Sequence, residues 1–240
     1  DRYMAPGAIP ILLLRLFGIK NIIATAHTAA DIYPNLKLVH FIQRYCVRVF
    51  TCITQVAEMS FFGKSNLYTQ KTVIQKVNHF TIYNVLPSYI KIREEQRDFS
   101  SPVTLGVVGR LEKIKGGDLV IPAFVRIKER YPETRLLIVG DGSLKAFMQQ
   151  QAKDLHVSEY ITWVGRKDQS QLQAYYDKIH VLLIPSRSEG FGLTAIEGMA
   201  RGCVVIASKT GGLSEIVKDK EVGLLHEQEN TCLLYTSPSP

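Results

Sequence analysis

From residue 103 to residue 207 the chain alternates short, continuous apolar runs with longer segments whose apolar residues recur at helical spacing. Unbroken runs rich in Val and Ile are typical of strands buried on both faces of a parallel sheet. Their alternation with helices predicts an α/β domain built from crossover units. The predicted strands are Val103–Val108, Arg135–Val139, Tyr160–Val164, Val181–Ile184 and Val204–Ala207, and the predicted helices are Asp118–Tyr131, Leu144–Leu155, Gln169–Lys178 and Gly192–Arg201.

The pattern before residue 90 is less regular but predicts a second, smaller sheet with strands at Asn21–Ala24, Val49–Ile53 and Phe80–Tyr83. A helix is predicted over Leu36–Val49, with basic residues on one side and apolar residues opposite. Two interpretations fit this helix equally: it packs on a core with a solvated basic face, or it lies on an anionic membrane surface. The basic residues are Lys37, Arg44 and Arg48.

Composition shifts suggest the domain boundaries. Pro87–Pro102 is charged and has little that can pack, so we expect residues 1–90 and 103–230 to be two domains joined by a linker at 91–102. Residues 231–240 lack periodicity and end in Ser-Pro-Ser-Pro, which indicates a non-native or disordered tail. The chain begins at Asp1 rather than Met, and we expect it to be a fragment.

With 46% hydrophobic and 21% charged residues, the 240-residue chain has ordinary globular composition, which excludes disordered and collagen-like classes. The apolar stretch over 5–30 is interrupted by prolines and basic residues, so no transmembrane helix is predicted. Four cysteines without a CxxC pair indicate reduced, mostly buried thiols of a cytosolic protein. They are Cys46, Cys52, Cys203 and Cys232.

The net charge of +7 is unevenly distributed, because residues 1–98 carry twelve Lys and Arg against six Asp and Glu. Such asymmetry suggests a surface that meets anions. The basic residues are not interleaved with aromatic residues in a recognisable module, so nucleic-acid binding is disfavoured.

Two loops carry candidate chemistry, each between a predicted buried strand and a helix, where doubly wound sheets bind ligands. The first, residues 109–117, is neither a dinucleotide-binding glycine motif nor a P-loop. Its Arg110 and Lys115 can clamp a diphosphate, or they are simply solvated loop residues.

The second loop, residues 185–192, leads into a helix whose first backbone amides favour phosphate oxygens. Gly190 and Gly192 allow a ligand to approach the backbone. Glu189 and Glu197 can flank one ligand, and a carboxylate can accept bonds from two vicinal hydroxyls of a ribose or hexose. The alternative for Glu197 is an exposed helix residue.

Taken together, these motifs resemble the retaining nucleotide-sugar glycosyltransferases of the GT-B fold, in particular glycosyltransferase family 4. The resemblance spans most of the chain. The matching segments are Gly109-Arg110-Leu111 with Lys115-Gly116, Val139-Gly140-Asp141-Gly142, Val164-Gly165, Pro185-Ser186, Glu189-Gly190-Phe191-Gly192 with Glu197, and Gly211-Gly212 with Glu215.

The resemblance implies two Rossmann-like parallel-sheet domains, an acceptor-side domain at 1–90 that lacks its first strands and a donor domain at 103–230. Glu189 and Glu197 match the family's E-x7-E motif, which implies contacts with the donor sugar and the ribose respectively. Arg110 and Lys115 resemble its diphosphate clamp, and His27 resembles the acceptor-domain histidine that faces the donor sugar. The implied catalytic residues are therefore Glu189 and His27, and the implied donor-binding residues are Arg110, Lys115, Gly190, Phe191, Gly192, Leu193, Thr194 and Glu197.

The implied reaction moves a sugar from a nucleotide-sugar donor to a glycan or lipid-linked acceptor with retention of configuration, in polysaccharide or glycolipid biosynthesis. The chain has no Asp-x-Asp motif, so we predict no metal and no cofactor. We expect a cytoplasmic protein that contacts an anionic membrane peripherally, and a chain that binds nucleoside diphosphate but transfers sugar poorly. Two other functions remain open: a phosphorolytic enzyme of the same fold, and a noncatalytic nucleotide-sugar-binding module.

Overall fold

The structure, a computed structural model, describes residues 4–28, 30, 33, 35–69, 78–100 and 102–228. The predicted tail at 231–240 and Cys232 lie outside the described residues. The chain divides into two compact units, the first comprising residues 1–85 with 189–191 and the second comprising residues 86–188 with 192–240. Each unit is built on a parallel sheet with helices, which confirms the predicted α/β fold class.

The first unit has a three-stranded parallel sheet in the order β1-β2-β3. Its apolar core includes a cluster of aromatic rings, in which the ring centroids of Phe50 and Phe61 lie 6.0 Å apart. The strands are β1 (Ile23–Ala26), β2 (Val49–Cys52) and β3 (His79–Thr81), and the helices are α1 (Met4–Leu16), α2 (Leu36–Phe41) and α3 (Gln55–Phe62).

The helix predicted over Leu36–Val49 is present only as far as Cys46. It stops as α2, passes into a π-helical turn at Ile42–Cys46, and gives way to β2 at Val49. Val47 adopts extended backbone (φ −106°, ψ 149°), as β-branched residues favour, and β2 begins two residues later.

Helix α1 was not predicted, because two prolines interrupt the apolar pattern. Pro6 falls in the first turn, where a missing N–H costs no helical bond, so only Pro10 lies in the interior.

A buried carboxylate is shared by α3 and β3. Glu58 is fully buried and accepts hydrogen bonds from Thr81 Oγ1 (2.6 Å) and from the backbone N–H of Asn66 (3.0 Å). His79 Nδ1 lies 2.5 Å from its other oxygen. Burial by itself would raise the pKa of Glu58, but these hydrogen bonds outweigh it and the pKa is lowered. The cluster ties α3 to the sheet.

The second unit has a six-stranded parallel sheet in the order β6-β5-β4-β7-β8-β9. All five predicted strands are present within one residue at each end, and β9 is an addition. The strands are β4 (Thr104–Val108), β5 (Arg135–Val139), β6 (Ile161–Gly165), β7 (Val181–Ile184), β8 (Val204–Ser208) and β9 (Gly223–His226).

Helices pack on both faces of this sheet. One core contains Phe124 of α4 and Met148 of α5, and the other contains Tyr176 of α6 and Leu213 of α8. The four predicted helices are all present, although the predicted Gln169–Lys178 is a 3₁₀ turn followed by a single short helix. The helices are α4 (Gly117–Arg130), α5 (Lys145–Asp154), α6 (Leu172–Tyr176), α7 (Leu193–Ala200) and α8 (Leu213–Ile216).

Residues 86–100, which we call the connecting segment, pack on the rest of the second unit. Ile90 is buried in its core, and Arg93 N–H donates to Ala200 O (2.7 Å). The Arg97 guanidinium donates to four backbone carbonyls at or just past the ends of α6 and α7. These carbonyls belong to Tyr176, Asp177, Arg201 and Gly202.

Cys46, Cys52 and Cys203 are free and buried, as predicted for those three. No helix in the described part of the chain is long and apolar enough to cross a bilayer.

Candidate functional site

The strand order of the second unit reverses direction between β4 and β7. β4 pairs in parallel with both β5 and β7, so the chain leaves β4 and β7 at the same edge on either side of this reversal. In open α/β sheets ligands bind in the crevice outside the carboxyl ends of strands at such a switch point. The loops that follow β4 and β7 are the two loops that the sequence analysis singled out.

These two loops are held together by Arg187. Its backbone N–H donates to Ile114 O (2.9 Å), and its guanidinium makes a bidentate pair with Asp118 at 2.7 and 3.0 Å. Burial would raise the pKa of Asp118, but the hydrogen bonds from Arg187 outweigh it and lower the pKa. The loops therefore form one braced wall of the crevice.

Gly116 lets the same two loops approach closely. Its φ is +70°, and a Cβ at this position would lie 2.0 Å from Pro185 O. Only glycine fits both the left-handed conformation and the contact with a backbone oxygen.

Arg110 and Lys115 both lie on the loop after β4, at the switch point. Arg110 is exposed, whereas Lys115 ends a 3₁₀ turn at Lys113–Lys115 and is half-buried. The two residues that are predicted to bind the diphosphate therefore lie on the loop that follows β4.

Helix α7 begins in the loop after β7. Gly192 (φ +101°) precedes it, and Leu193 and Thr194 form its first turn. The first backbone N–H groups of a helix have no intrahelical acceptor and carry the positive end of its dipole. The three residues therefore lie at the amino end of α7, and their contact with phosphate remains a prediction.

Glu197 is 4% exposed, so the alternative of an exposed helix residue is wrong. Its Oε1 accepts a hydrogen bond from the Tyr89 hydroxyl (2.7 Å), and its Oε2 accepts one from the Tyr176 hydroxyl (2.6 Å). Burial first, and the adjoining Glu197 carboxylate second, raise the pKa of both phenols. Thr194 hydrogen-bonds Tyr176 in turn, so the first turn of α7 is linked to this carboxylate.

The other predicted site residues fall in the first unit. His27 is exposed and directly follows β1, and Glu189 is half-buried. Gly190 was expected to admit a ligand, but a Cβ there would lie 2.0 Å from His27 O, so the close approach is to protein backbone. The ring of Phe191 is buried, 6.4 Å from that of Tyr83.

Sequence reasoning missed Tyr89, Tyr176, Arg187 and Asp118. Arg187 lies inside the second loop, and its charge could have been recognised in the sequence alongside Arg110 and Lys115. Nothing in the local pattern marks the two tyrosines, because their partner is 108 and 21 residues away along the chain.

A cavity of about 630 Å³ opens at the other end of the sheet, beneath the amino ends of β4 and β7. Its lining is mainly apolar, including Val103, Leu105 and Leu183, and contains none of the predicted site residues. We place the candidate site at the carboxyl ends because the charged and backbone groups that could bind a ligand are there. Among the described residues, no cluster of three or more His, Cys, Asp or Glu side chains could hold a metal ion.

Comparison with known proteins identifies the family. The family model described as "Glycosyl transferases group 1" matches residues 88–232 of the chain. The chain belongs to the glycosyl transferases group 1. The match begins at residue 88, within the connecting segment, and covers both loops of the switch point.

Curated relatives match about half of the chain. The D-inositol 3-phosphate glycosyltransferase of Corynebacterium aurimucosum is 36% identical over 124 residues, which are 49% of the chain and 30% of the relative. The glycogen synthase of Mycobacterium tuberculosis is 34% identical over 129 residues, 54% of the chain and 31% of the relative. The matches thus cover about a third of these relatives' length.

Solved structures extend the likeness to both units and confirm the GT-B fold. TarM of S. aureus aligns with 96% of the chain and 45% of its own length, with a TM-score of 0.74 and 19% identity. HepE of Anabaena, solved with UDP and glucose, aligns with 96% of the chain and 64% of its own length, with a TM-score of 0.71 and 18% identity. At these identities the likeness concerns the fold.

Proposed function

We propose that this glycosyl transferase moves a sugar from a nucleotide-sugar donor to an acceptor hydroxyl with retention of configuration, as enzymes of glycosyltransferase family 4 do. The observation that carries the proposal is the switch point of the second unit. There, one of the two braced loops carries Arg110 and Lys115, and the other leads into α7, which carries the buried carboxylate of Glu197.

Charge complementarity supports a diphosphate as the bound group. A guanidinium, an ammonium and a helix N-terminus supply positive potential, and a preorganised site of this kind needs no metal to offset the phosphate charge. Glu197 accepts the ribose hydroxyls in this proposal, and Glu189 and His27 act at the donor sugar. HepE was solved with UDP and glucose, which supports a nucleotide and a sugar as the ligands of this fold.

The proposed step is a displacement on one face of the sugar. The bond between the anomeric carbon and the departing phosphate oxygen breaks, and a bond from the acceptor oxygen forms on the same face. The acceptor proton passes to the departing phosphate. Arg110, Lys115 and the first amides of α7 stabilise the charge that develops on the diphosphate.

A binding panel tests the donor site. UDP, GDP and ADP, each free and sugar-linked, are added to the whole chain and the melting temperature is recorded. At least one should raise it in a concentration-dependent way. Lys115→Ala should diminish that rise because it deletes a phosphate contact, whereas Lys153→Ala, which removes an exposed lysine of α5, should not.

The two glutamates should respond differently. Glu197→Ala should weaken the binding of free nucleoside diphosphate by about 1.5 to 3 kcal/mol for each hydrogen bond lost. Glu189→Ala should leave the free diphosphate bound and weaken the sugar-linked form. Glu159→Ala, an exposed carboxylate before β6, is the control. No response to any nucleotide would refute the donor site, and multiple turnovers with an acceptor would contradict the expectation that this chain transfers sugar poorly.

We also propose that the acceptor is a glycan or a lipid-linked glycan and that the first unit contacts an anionic membrane. Lys37, Arg44 and Arg48 are exposed even though they do not share one helix, and exposed Phe41 and Tyr45 lie among them. The free thiols favour a reducing compartment, so we place this contact on the cytoplasmic side.

Vesicle sedimentation tests the membrane contact. Three basic residues near an anionic surface contribute about 3 kcal/mol in total, so Lys37, Arg44 and Arg48→Gln together should weaken binding about a hundredfold. A matched variant with Lys153, Arg135 and Arg166→Gln should bind normally. Equal binding of the unaltered chain to neutral and anionic vesicles, or none to either, would exclude the contact.

A further inference from the structure

The connecting segment delivers one side chain to the candidate site. The Tyr89 hydroxyl donates to Glu197 Oε1 at 2.7 Å, opposite the Tyr176 hydroxyl on Oε2 at 2.6 Å. Tyr176 is fully buried in the core, whereas Tyr89 is only partly buried. The two phenols thus grip one carboxylate from two different parts of the chain.

The backbone around Tyr89 is fixed on the second unit. Ile90 is 3% exposed, the Lys91 N–H donates to Gln173 Oε1 (2.9 Å), and Lys91 O accepts from Arg201 Nη1 (2.7 Å). A residue held in this way presents its hydroxyl at a defined point. Because the position of Tyr89 is fixed by the backbone, its hydrogen bond sets the orientation of the Glu197 carboxylate.

The geometry leaves acceptor capacity on Glu197. Each carboxylate oxygen offers about two lone-pair sites, and each phenol occupies one of them. Both partners act as donors, so the remaining lone pairs of the carboxylate can accept further hydroxyl groups. A carboxylate held at both oxygens by phenols presents its remaining lone pairs in a fixed plane.

We propose that Tyr89 is a positioning residue of the nucleotide site, which holds the Glu197 carboxylate in the rotation that accepts the vicinal hydroxyls of the ribose. The inference rests on the proposed function and assigns a role to a residue outside the two loops. It predicts that Tyr89 acts on the ribose and not on the diphosphate.

The test measures this selectivity by calorimetry. UDP, GDP and ADP are each compared with their 2′,3′-dideoxy counterparts. The unaltered chain should bind the ribose form of its preferred diphosphate about tenfold more tightly than the dideoxy form, as expected for a hydrogen bond to a charged acceptor. Tyr89→Phe should weaken the ribose form about tenfold and leave the dideoxy form unchanged. Tyr175→Phe, which alters the half-buried tyrosine next to Tyr176, should change the binding of neither form.

Three results overturn the positioning role. Tyr89→Phe that weakens both forms equally indicates a purely structural contact, and unchanged binding of both forms removes any role. A Tyr89→Phe effect that persists undiminished in a Glu197→Gln background shows that it does not act through the carboxylate. If the unaltered chain binds none of the three diphosphates, the proposed function itself fails, and the positioning role with it.

Discussion

Gly116 allows a direct test of how the two loops of the switch point are braced. We expect Gly116→Ala to destabilise the second unit far more than Gly165→Ala. The two glycines have nearly the same conformation, with φ of +70° and +77°, but a Cβ on Gly165 meets nothing within 4 Å. A Cβ on Gly116 would lie 2.0 Å from Pro185 O.

The magnitude follows from these two terms. Forcing an L-residue into the left-handed region costs about 1 to 2 kcal/mol, and this cost applies to both variants. Overpacking adds about 1 to 3 kcal/mol, and it applies only to Gly116→Ala. The obstructing atom is a backbone oxygen, and the hydrogen bond from Arg187 N to Ile114 O limits how far the loops can separate. The two variants should therefore differ by about 2 kcal/mol.

Urea denaturation followed by tryptophan fluorescence measures this difference. The chain has a single tryptophan, Trp163 on β6, so the signal reports the second unit alone. With a slope of about 2 kcal/mol per molar urea, the midpoint of Gly116→Ala should lie about 1 M below that of Gly165→Ala. Gly116→Ala should also weaken the response to nucleoside diphosphate. Equal midpoints for the two variants would refute the argument that the loops are braced at this contact.

Three further outcomes can be measured in the same preparation. Arg97→Ala should lower the free energy of unfolding of the second unit by about 3 kcal/mol in urea, because a charged donor to four carbonyls is lost, while Lys178→Ala should have little effect. The pKa of Glu58 is lowered in the folded state, so its carboxylate stabilises the first unit at neutral pH. This stabilisation should be lost as the pH drops below about 4.5 and through the lowered pKa. Acid titrations followed by circular dichroism should show that Glu58→Gln abolishes this pH dependence. Cys46, Cys52 and Cys203 are buried, and burial raises the pKa of the Cys203 thiol to about 11. A Cys232→Ser variant should therefore show no thiol that reacts with Ellman's reagent when folded, and three when unfolded. One fast-reacting thiol in the folded variant would contradict this.

The strands of the second unit were predictable because they are buried on both faces. Arg135–Val139 and Val181–Ile184 have the bounds that the sequence predicted. A strand covered on both sides is selected for continuous apolar character, and that signal is local. β9 was missed because Gly223–His226 is short, and only its two leucines are apolar.

The first unit was less predictable because tertiary contacts override its local pattern. The apolar spacing of Leu36–Val49 satisfies a helix, yet Val49 pairs with Ile23 in the sheet. Periodicity cannot show where a helix gives way to a strand when both use the same apolar residues.

For the candidate site, the sequence predicted the loops but not the contacts that hold them. Arg110, Lys115 and the start of α7 were identifiable because each lies next to a strand or helix end. The pairing of Glu197 with Tyr89 spans 108 positions along the chain and depends on how the connecting segment packs. The roles of Glu189 and His27 remain predictions.

The packing of the connecting segment sets the boundary at which the second unit can be produced by itself. A shortened chain that begins at residue 103 would omit the buried side chain of Ile90 and the Arg97 guanidinium, and it would leave four helix-end carbonyls without their donor. Unmet backbone acceptors and an exposed core surface favour aggregation of the truncated product. A recombinant second unit should instead begin near residue 86, which retains the contacts of this segment with the sheet and helices that it covers.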